Sequence, residues 1–298
     1  MIDNILITGG SGFLGSRILN HLQSKGMKVS TLGRKKNNSG SSFLWDIENK
    51  KMDPDSLSGI GTIIHLAGAG IADKRWTSSY KKEIIDSRIN STSLLFDTLK
   101  SVPNTVHTVI SASAIGFYGD TGEVWVEEDF HAPEDFLGET CMEWEKASQS
   151  FKDLGIRVVI FRIGLVLDKN RGVLPAISLP VKLFVGAPLG TGKQYMSWIH
   201  IEDLCRMFSF AVDEKKMHGI YNAVAPKPVT NGSFIKLTGK IIRRPIWPFN
   251  VPSFILKLIL GEKAVIVLHG QRVSSEKIRM AGFNFIHTDL EKTLTLLL

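Results

Sequence analysis

The sequence predicts an α/β fold, a parallel sheet covered by helices on both faces and followed by a smaller C-terminal lobe. Three observations carry this. Apolar, β-branched runs alternate with segments of helical period through the first two thirds of the 298 residues, and parallel strands joined by helices need cover on both faces. The first such run, Ile5-Leu6-Ile7-Thr8, passes directly into the turn Gly9-Gly10-Ser11-Gly12-Phe13-Leu14-Gly15, which opens an amphipathic segment. After Val166 the alternation loosens, and Pro175, Pro180, Pro188, Pro226, Pro228, Pro245, Pro248 and Pro252 break the rest into loops and short helices. The expected organisation is a doubly wound sheet of Rossmann type over residues 1–168, to which the chain returns at about 196–224. Residues 169–195 and 225–298 form the smaller lobe.

Each element follows from its residues. The first helix has Phe13, Leu14, Ile18, Leu19 and Leu22 on one side. A second strand is expected over Met27 to Leu32, after the break at Lys25-Gly26. Residues 61–68 read as a buried strand ending in a small-residue turn. Ser79 to Lys100 is a long helix, with Ile84, Ile85, Ile89, Leu95, Phe96 and Leu99 near helical period. A strand over Val106 to Ser111, a helix over Phe136 to Leu154 and a β-branched strand over Ile156 to Ile163 complete the alternation.

The glycine spacing at 9, 12 and 15 has a specific physical reading. Gly9 allows the sharp turn off the strand, Gly12 leaves room for a pyrophosphate, and Gly15 lets the helix lie close on the sheet. The helix start then offers free N–H groups and partial positive charge to the phosphates. The reading is a dinucleotide site. An NAD site places Asp or Glu at the end of the second strand, on the ribose 2′-hydroxyl. Here no acid occurs between Asp3 and Asp46, and the strand ends in Gly33-Arg34-Lys35-Lys36. Cations suit a 2′-phosphate, so NADP(H) is the expected cofactor.

Composition bounds the alternatives. The chain is 43% hydrophobic and 22% charged, as in ordinary globular enzymes. Its net charge is +7, but the basic residues read as scattered, with no basic helical face interleaved with aromatics, so nucleic acid is not expected as a partner. Cys141 and Cys205 make no disulfide framework, and no metal-ligand spacing exists. The first strand begins almost at Met1, which leaves no room for a signal peptide, and a reducing cytoplasm is the expected compartment. Phe254 to Leu268 is apolar but broken by Lys257, Glu262 and Lys263, too short and too charged to span a bilayer. The expected partner is a small-molecule substrate, with no part for a membrane, and a homodimer is left open.

Five motifs together resemble the extended short-chain dehydrogenase/reductase superfamily: Thr8 to Gly15, Leu66-Ala67-Gly68, Ser111 to Gly119, Trp198 to Leu204, and Gly219-Ile220-Tyr221-Asn222. The late run Gly270-Gln271-Arg272-Val273 with Gly282-Phe283 is similar to a small domain of its NAD(P)-dependent, epimerase-like branch. The resemblance implies that Leu66 and Ala67, with Gly68, lie on the adenosine side and that Asp46-Ile47 meets adenine. Arg88 takes the place of the usual Asn on the helix facing the cofactor, or else is a surface arginine. Glu83 and Arg162 are further candidates for the pocket, and His200 is expected to make a structural hydrogen bond.

The superfamily's proton transfer uses a Tyr and a Lys four residues later, one helical turn apart, with a Ser on the preceding strand. None of Tyr80, Tyr118, Tyr195 and Tyr221 has Lys four places on. Cys141 and Glu145 occupy the equivalent positions. Ser113 is then the best-placed residue by motif. Tyr118 transfers the proton or walls the pocket. Cys141 is an acid–base or nucleophilic group, or a small apolar packer opposed by Glu145. Trp144 reads as core. Trp198 and the loop from Gly186 to Lys193 are expected to wall the substrate. The implied function is an NADP(H)-dependent oxidoreductase or epimerase on a small polar carbonyl, alcohol or sugar-like compound. The alternative is a cofactor-binding sensor or scaffold without turnover.

Overall fold

The computed structural model describes residues 4–35 and 41–298, so Asp3 and Lys36 lie outside the described residues. The first part runs β1 (Asn4–Thr8), α1 (Phe13–Ser24), β2 (Val29–Gly33), β3 (Ser42–Asp46), β4 (Lys51–Met52), β5 (Ile60–His65), α2 (Ser78–Ser101), β6 (Thr108–Ala114), β7 (Trp125–Val126), α3 (Phe136–Gln149) and β8 (Arg157–Ile163). There follow β9 (Leu165–Leu167), α4 (Val173–Lys182), β10 (Tyr195–Met196), β11 (Trp198–His200), α5 (Ile201–Asp213) and β12 (Gly219–Ala223). The last part holds β13 (Val229–Thr230), α6 (Asn231–Ile242), α7 (Ser253–Leu260), α8 (Val265–Leu268), β14 (Arg272–Val273), α9 (Glu276–Met280) and α10 (Leu290–Leu297).

Eight strands form one sheet in the order β12-β8-β6-β5-β1-β2-β3-β4. Every pairing is parallel except β3 with β4, so the seven parallel strands end at one edge. The chain winds from β1 to β3 in one direction and from β5 to β12 in the other. The order therefore reverses between β1 and β5, and a crevice at such a reversal is where open α/β sheets bind ligands.

The period of two along β1 explains the two-sided core. Ile5 and Ile7 face Ile18, Leu19 and Leu22 of α1 and Leu204, Met207 and Phe208 of α5. Leu6 faces the other way, into a cluster with Leu95 and Leu99 of α2. All three β1 side chains are fully buried, which accounts for a run without polar alternation. A separate cluster in the C-terminal part joins Leu174 of α4, Phe234 of α6, and Leu290 and Leu294 of α10.

Several elements depart from expectation. The second strand starts at Val29, because Met27 N–H still bonds the helix carbonyl of Leu22. The strand expected over Val106 to Ser111 runs instead to Ala114 and carries Ser113 at its end. α3 stops at Gln149 and tightens into a 3₁₀ stretch, Ser150–Leu154, closed by Gly155 at φ +73°. α5 and α6 are longer than short connectors, at 13 and 12 residues. No helix among the described residues is long and apolar enough to cross a membrane.

Candidate functional site

The glycine loop stands at the sheet reversal. Gly9 turns off β1 at φ +69°, and Gly12 N–H closes the turn on the Gly9 carbonyl at 3.0 Å. A Cβ on Gly9 would lie 3.0 Å from the Leu66 carbonyl, so this turn and the one after β5 touch backbone to backbone. Thr8 stitches them: its Oγ1 accepts from Leu66 N–H at 3.1 Å and Ala67 N–H at 3.3 Å. A Cβ on Gly15 would collide with the Gly9 carbonyl oxygen, which is how closely α1 lies on the turn. A Cβ on Gly12 would meet only the Gly9 oxygen, at 3.2 Å, and otherwise open space. α1 begins with no side-chain cap and no acid in its first turn, whereas α2, α3, α5, α6 and α10 are each capped by a side chain. Its first N–H groups, on Phe13 and Leu14, lack a capping partner and carry the positive end of the dipole. Ser11 is exposed beside them and Gly10 packs on Thr31 of β2.

The other cofactor candidates divide. Gly33 ends β2 next to β1, and Arg34 and Lys35 are exposed just beyond it. Asp46 ends β3 at the same edge, but its carboxylate accepts from Asn49 N–H at 3.0 Å and Nδ2 at 2.8 Å, and these bonds hold its pKa below the usual value. Ile47 packs against the α2-side core. Arg88 lies against the Gly68 turn, where a Cβ on Gly68 would come 3.1 Å from its Cγ. Its guanidinium is 4.7 Å above the Trp144 ring, and the buried Trp144 Nε1 has no partner. Glu83 is not brought to this group: it is exposed and paired with Lys74 at 3.2 Å.

The catalytic candidates form one buried network. Ser113 Oγ donates to Glu145 Oε1 at 2.7 Å. Arg162 closes on the same carboxylate with two bonds, Nε to Oε1 at 2.8 Å and Nη2 to Oε2 at 2.9 Å. Arg162 is therefore not free for a cofactor as the resemblance implied. Its remaining Nη1 donates to Tyr118 Oη and the Glu128 carbonyl, both at 3.0 Å, and its plane lies 3.3 Å from the Phe117 ring centre. Tyr118 Oη donates to Asn222 Oδ1 at 2.6 Å, and burial pushes its pKa up to about 12. Cys141 donates weakly to the Ala114 carbonyl at 3.7 Å. Burial, then the charge of Glu145, push its pKa up to about 11, so it stays a packed thiol at neutral pH. Trp198 corrects another expectation. It is fully buried, donates its Nε1–H to the Lys227 carbonyl at 3.0 Å and fills the lobe's core, so it cannot wall a substrate.

Two features carried no site signal in sequence. His65 is fully buried between Thr8 Oγ1 at 2.8 Å and Thr92 Oγ1 at 3.0 Å, which ties both turns to α2, and burial lowers its pKa to about 4. Asp168 pairs with Arg17 of α1 at 2.8 Å, and the following Gly172 packs on Phe13. His200 makes the expected structural bond, accepting from Glu202 N–H at 3.2 Å to cap α5. With Glu202 and His287 it brings potential metal-ligand atoms within 4.8 Å of one another. The two imidazoles lie against each other, centres 3.7 Å apart, and His287 Nε2 meets the Glu202 carboxylate at 2.9 Å.

A dinucleotide fits this edge by its own geometry: an uncapped helix start, open space at Gly12, and a second turn stitched alongside. The comparisons agree. Residues 5–223 match the NAD dependent epimerase/dehydratase family, and residues 251–297 match a domain of unknown function, DUF1731. The epimerase family protein YfhF of Bacillus subtilis is 36% identical, covering 99% of this chain and 98% of the relative. The epimerase family protein ML0860 of Mycobacterium leprae is 34% identical, covering 98% and 94%. The crystal structure of human epimerase family protein SDR39U1 (isoform 2) with NADPH superposes with TM-score 0.89 at 27% identity, covering 99% and 98%. UDP-glucose 4-epimerase of Thermotoga maritima, with UDP-glucose, shares the fold at 20% identity and TM-score 0.78, covering 99% and 97%. The chain belongs to the NAD dependent epimerase/dehydratase family, in the epimerase-like branch of the extended short-chain dehydrogenases/reductases that carries the DUF1731 domain.

Proposed function

We propose that this protein is an NADP(H)-dependent oxidoreductase or epimerase acting on a small polar carbonyl, alcohol or sugar-like compound. The observation that carries the reading is the meeting of the Gly9–Gly15 and Leu66–Gly68 turns at the sheet reversal, with Ser113 on the adjoining strand β6. The amides of Gly10 to Leu14 hold the pyrophosphate. Arg34 and Lys35 meet the 2′-phosphate, and the human relative that was solved with NADPH supports that choice. Asp46, Ile47, Leu66 and Ala67 flank the adenosine, and Arg88 with Gly68 borders the inner end. Glu83 and Arg162 drop out, because each is committed to an ion pair.

Bound NADP(H) supplies a hydride donor or acceptor at the nicotinamide C4. The chain's own part is proton handling. Ser113 Oγ passes a proton between a substrate oxygen and Glu145 Oε1, and Arg162 fixes that carboxylate in place. Tyr118 and Cys141, both held protonated, serve as wall and packing.

A second reading, a sensor without turnover, draws on the same observation that both substitute acids are locked. Incubation with NADPH and a carbonyl panel, followed by NADPH absorbance, separates the two. Steady oxidation is expected, slowed about 100-fold or more in Ser113→Ala while NADPH affinity is retained. Stoichiometric binding without oxidation by any compound supports the sensor. Failure of folded protein to take up NADPH ends both.

A further inference from the structure

The charge of the chain is not scattered. Residues 169–195 and 225–261 contain ten Lys and Arg and no Asp or Glu, while the rest carries 26 basic against 29 acidic residues. The same two segments hold nine of the seventeen large apolar side chains left exposed among the described residues. Here they follow one continuous strip, from the end of α4 through residues 184–190 and 247–251 into α7.

Hydrogen bonds lace the face together. Trp247 donates its N–H to the Gly186 carbonyl at 2.9 Å and its Nε1–H to the Phe184 carbonyl at 2.8 Å. Val251 N–H donates to the Pro188 carbonyl at 2.8 Å, and Gly190 N–H returns to Val251 at 2.9 Å. α4 leads into this strip and α7 leads out of it. Trp247 is 56% exposed, Phe249 77%, and on α7 Leu258 is 77% and Ile259 68% exposed. After its first residue α7 has one polar side chain, Lys257, among Phe, Ile and Leu. Lys182, Arg243 and Lys257 make no ion pair among the described residues, and the Arg244 guanidinium lies 4.5 Å over the Phe184 ring.

We infer that this face docks on an anionic lipid surface, with α7 and the Trp247–Phe249 turn lying in the plane of the headgroups. Two signals coincide, apolar side chains to bury at the acyl boundary and cations to meet lipid phosphate, and stable in-plane binding needs both. Long Lys and Arg stems suit that geometry, since they cover apolar surface while the charge reaches the headgroups. A nucleic acid would use the cations and the aromatic rings but gains nothing from bare Leu258 and Ile259. A second copy of the chain would set Lys182, Arg243 and Lys257, unpaired among the described residues, against their own copies. The contact is peripheral and requires no spanning helix. It revises the expectation that a membrane surface plays no part.

The test uses the full chain with vesicles of phosphatidylcholine alone or of phosphatidylcholine and phosphatidylglycerol in equal parts. Co-sedimentation with the anionic vesicles only is expected, with a blue shift in tryptophan emission. Arg243→Gln with Arg244→Gln should weaken the partition about 30-fold. Leu258→Asp with Ile259→Asp should abolish it, while melting temperature and NADPH affinity stay unchanged. No binding to anionic vesicles overturns the inference. So does binding that the Leu258/Ile259 variant leaves intact, a dimer that this variant dissociates in the absence of vesicle binding, or preferential capture of single-stranded DNA.

Discussion

Glu145 stands where the superfamily resemblance puts a lysine, and its surroundings set what it can do. It is 3% exposed, closed by Arg162 and bonded to Ser113. A buried pair contributes little by forming but is costly to break, because the survivor is left charged in a dry site. Glu145→Gln should therefore cost about 3–5 kcal/mol in urea denaturation, well beyond a surface substitution. His65 governs an acid limb of stability. Folded, it stays neutral down to about pH 4; unfolded, it takes a proton near pH 6.5. Between those values the unfolded chain binds more protons, so stability is fully present above 6.5 and falls as pH drops toward 4, by roughly 3 kcal/mol. In His65→Gln the pH dependence of unfolding should flatten over that window, and an unaltered slope would count against the assignment. The motif pointed to Ser113, which the structure sets near the end of β6 and bonds to Glu145. The Arg162–Glu145 closure was not legible: the partners are 17 positions apart on different elements, and Arg162 sits in a run that reads only as a buried strand.

At the scale of elements, α1 shows how a spacing becomes a site. Its buried stripe of Ile18, Leu19 and Leu22 fixes which face meets the sheet, and Gly15 fixes how close it comes. Gly15→Ala should push the helix start away from the Gly9 carbonyl and lower NADPH affinity about tenfold or more by calorimetry, with the far-ultraviolet spectrum retained; tenfold corresponds to about 1.4 kcal/mol. α1, α2, β5 and β8 were readable because long apolar periodicity decides them. β3 was missed because Ser42 to Asp46 is a short segment with little pattern, paired between β2 and the two-residue edge strand β4. The end of β6 was placed too early because Ser-Ala-Ser-Ala has low β-propensity and is held by pairing to β8. α5 was read as a motif rather than as a helix, although Leu204, Met207, Phe208 and Ala211 follow its period.

Across the whole molecule, net charge was legible and its distribution was overlooked: a net +7 conceals two acid-free segments, residues 169–195 and 225–261, against a mildly acidic remainder. Ligand linkage acts at this scale. NADPH at 100 times its dissociation constant should stabilise the fold by about 2.7 kcal/mol, and NADH at the same concentration by less. Thermal melts with each nucleotide check this, and an equal or larger rise with NADH would reverse the cofactor preference. The stitch between Thr8 and the Leu66–Ala67 amides has a further consequence for protein engineering. Two loops 58 residues apart share one rigid seam, so grafting a relative's residues 8–15 alone would leave a mismatched seam, and a chimera must exchange residues 65–68 with them. Arg34 and Lys35 are exposed and lie outside that seam, so under the proposed NADP(H) reading they are the positions at which nucleotide selectivity should be open to change with the scaffold intact.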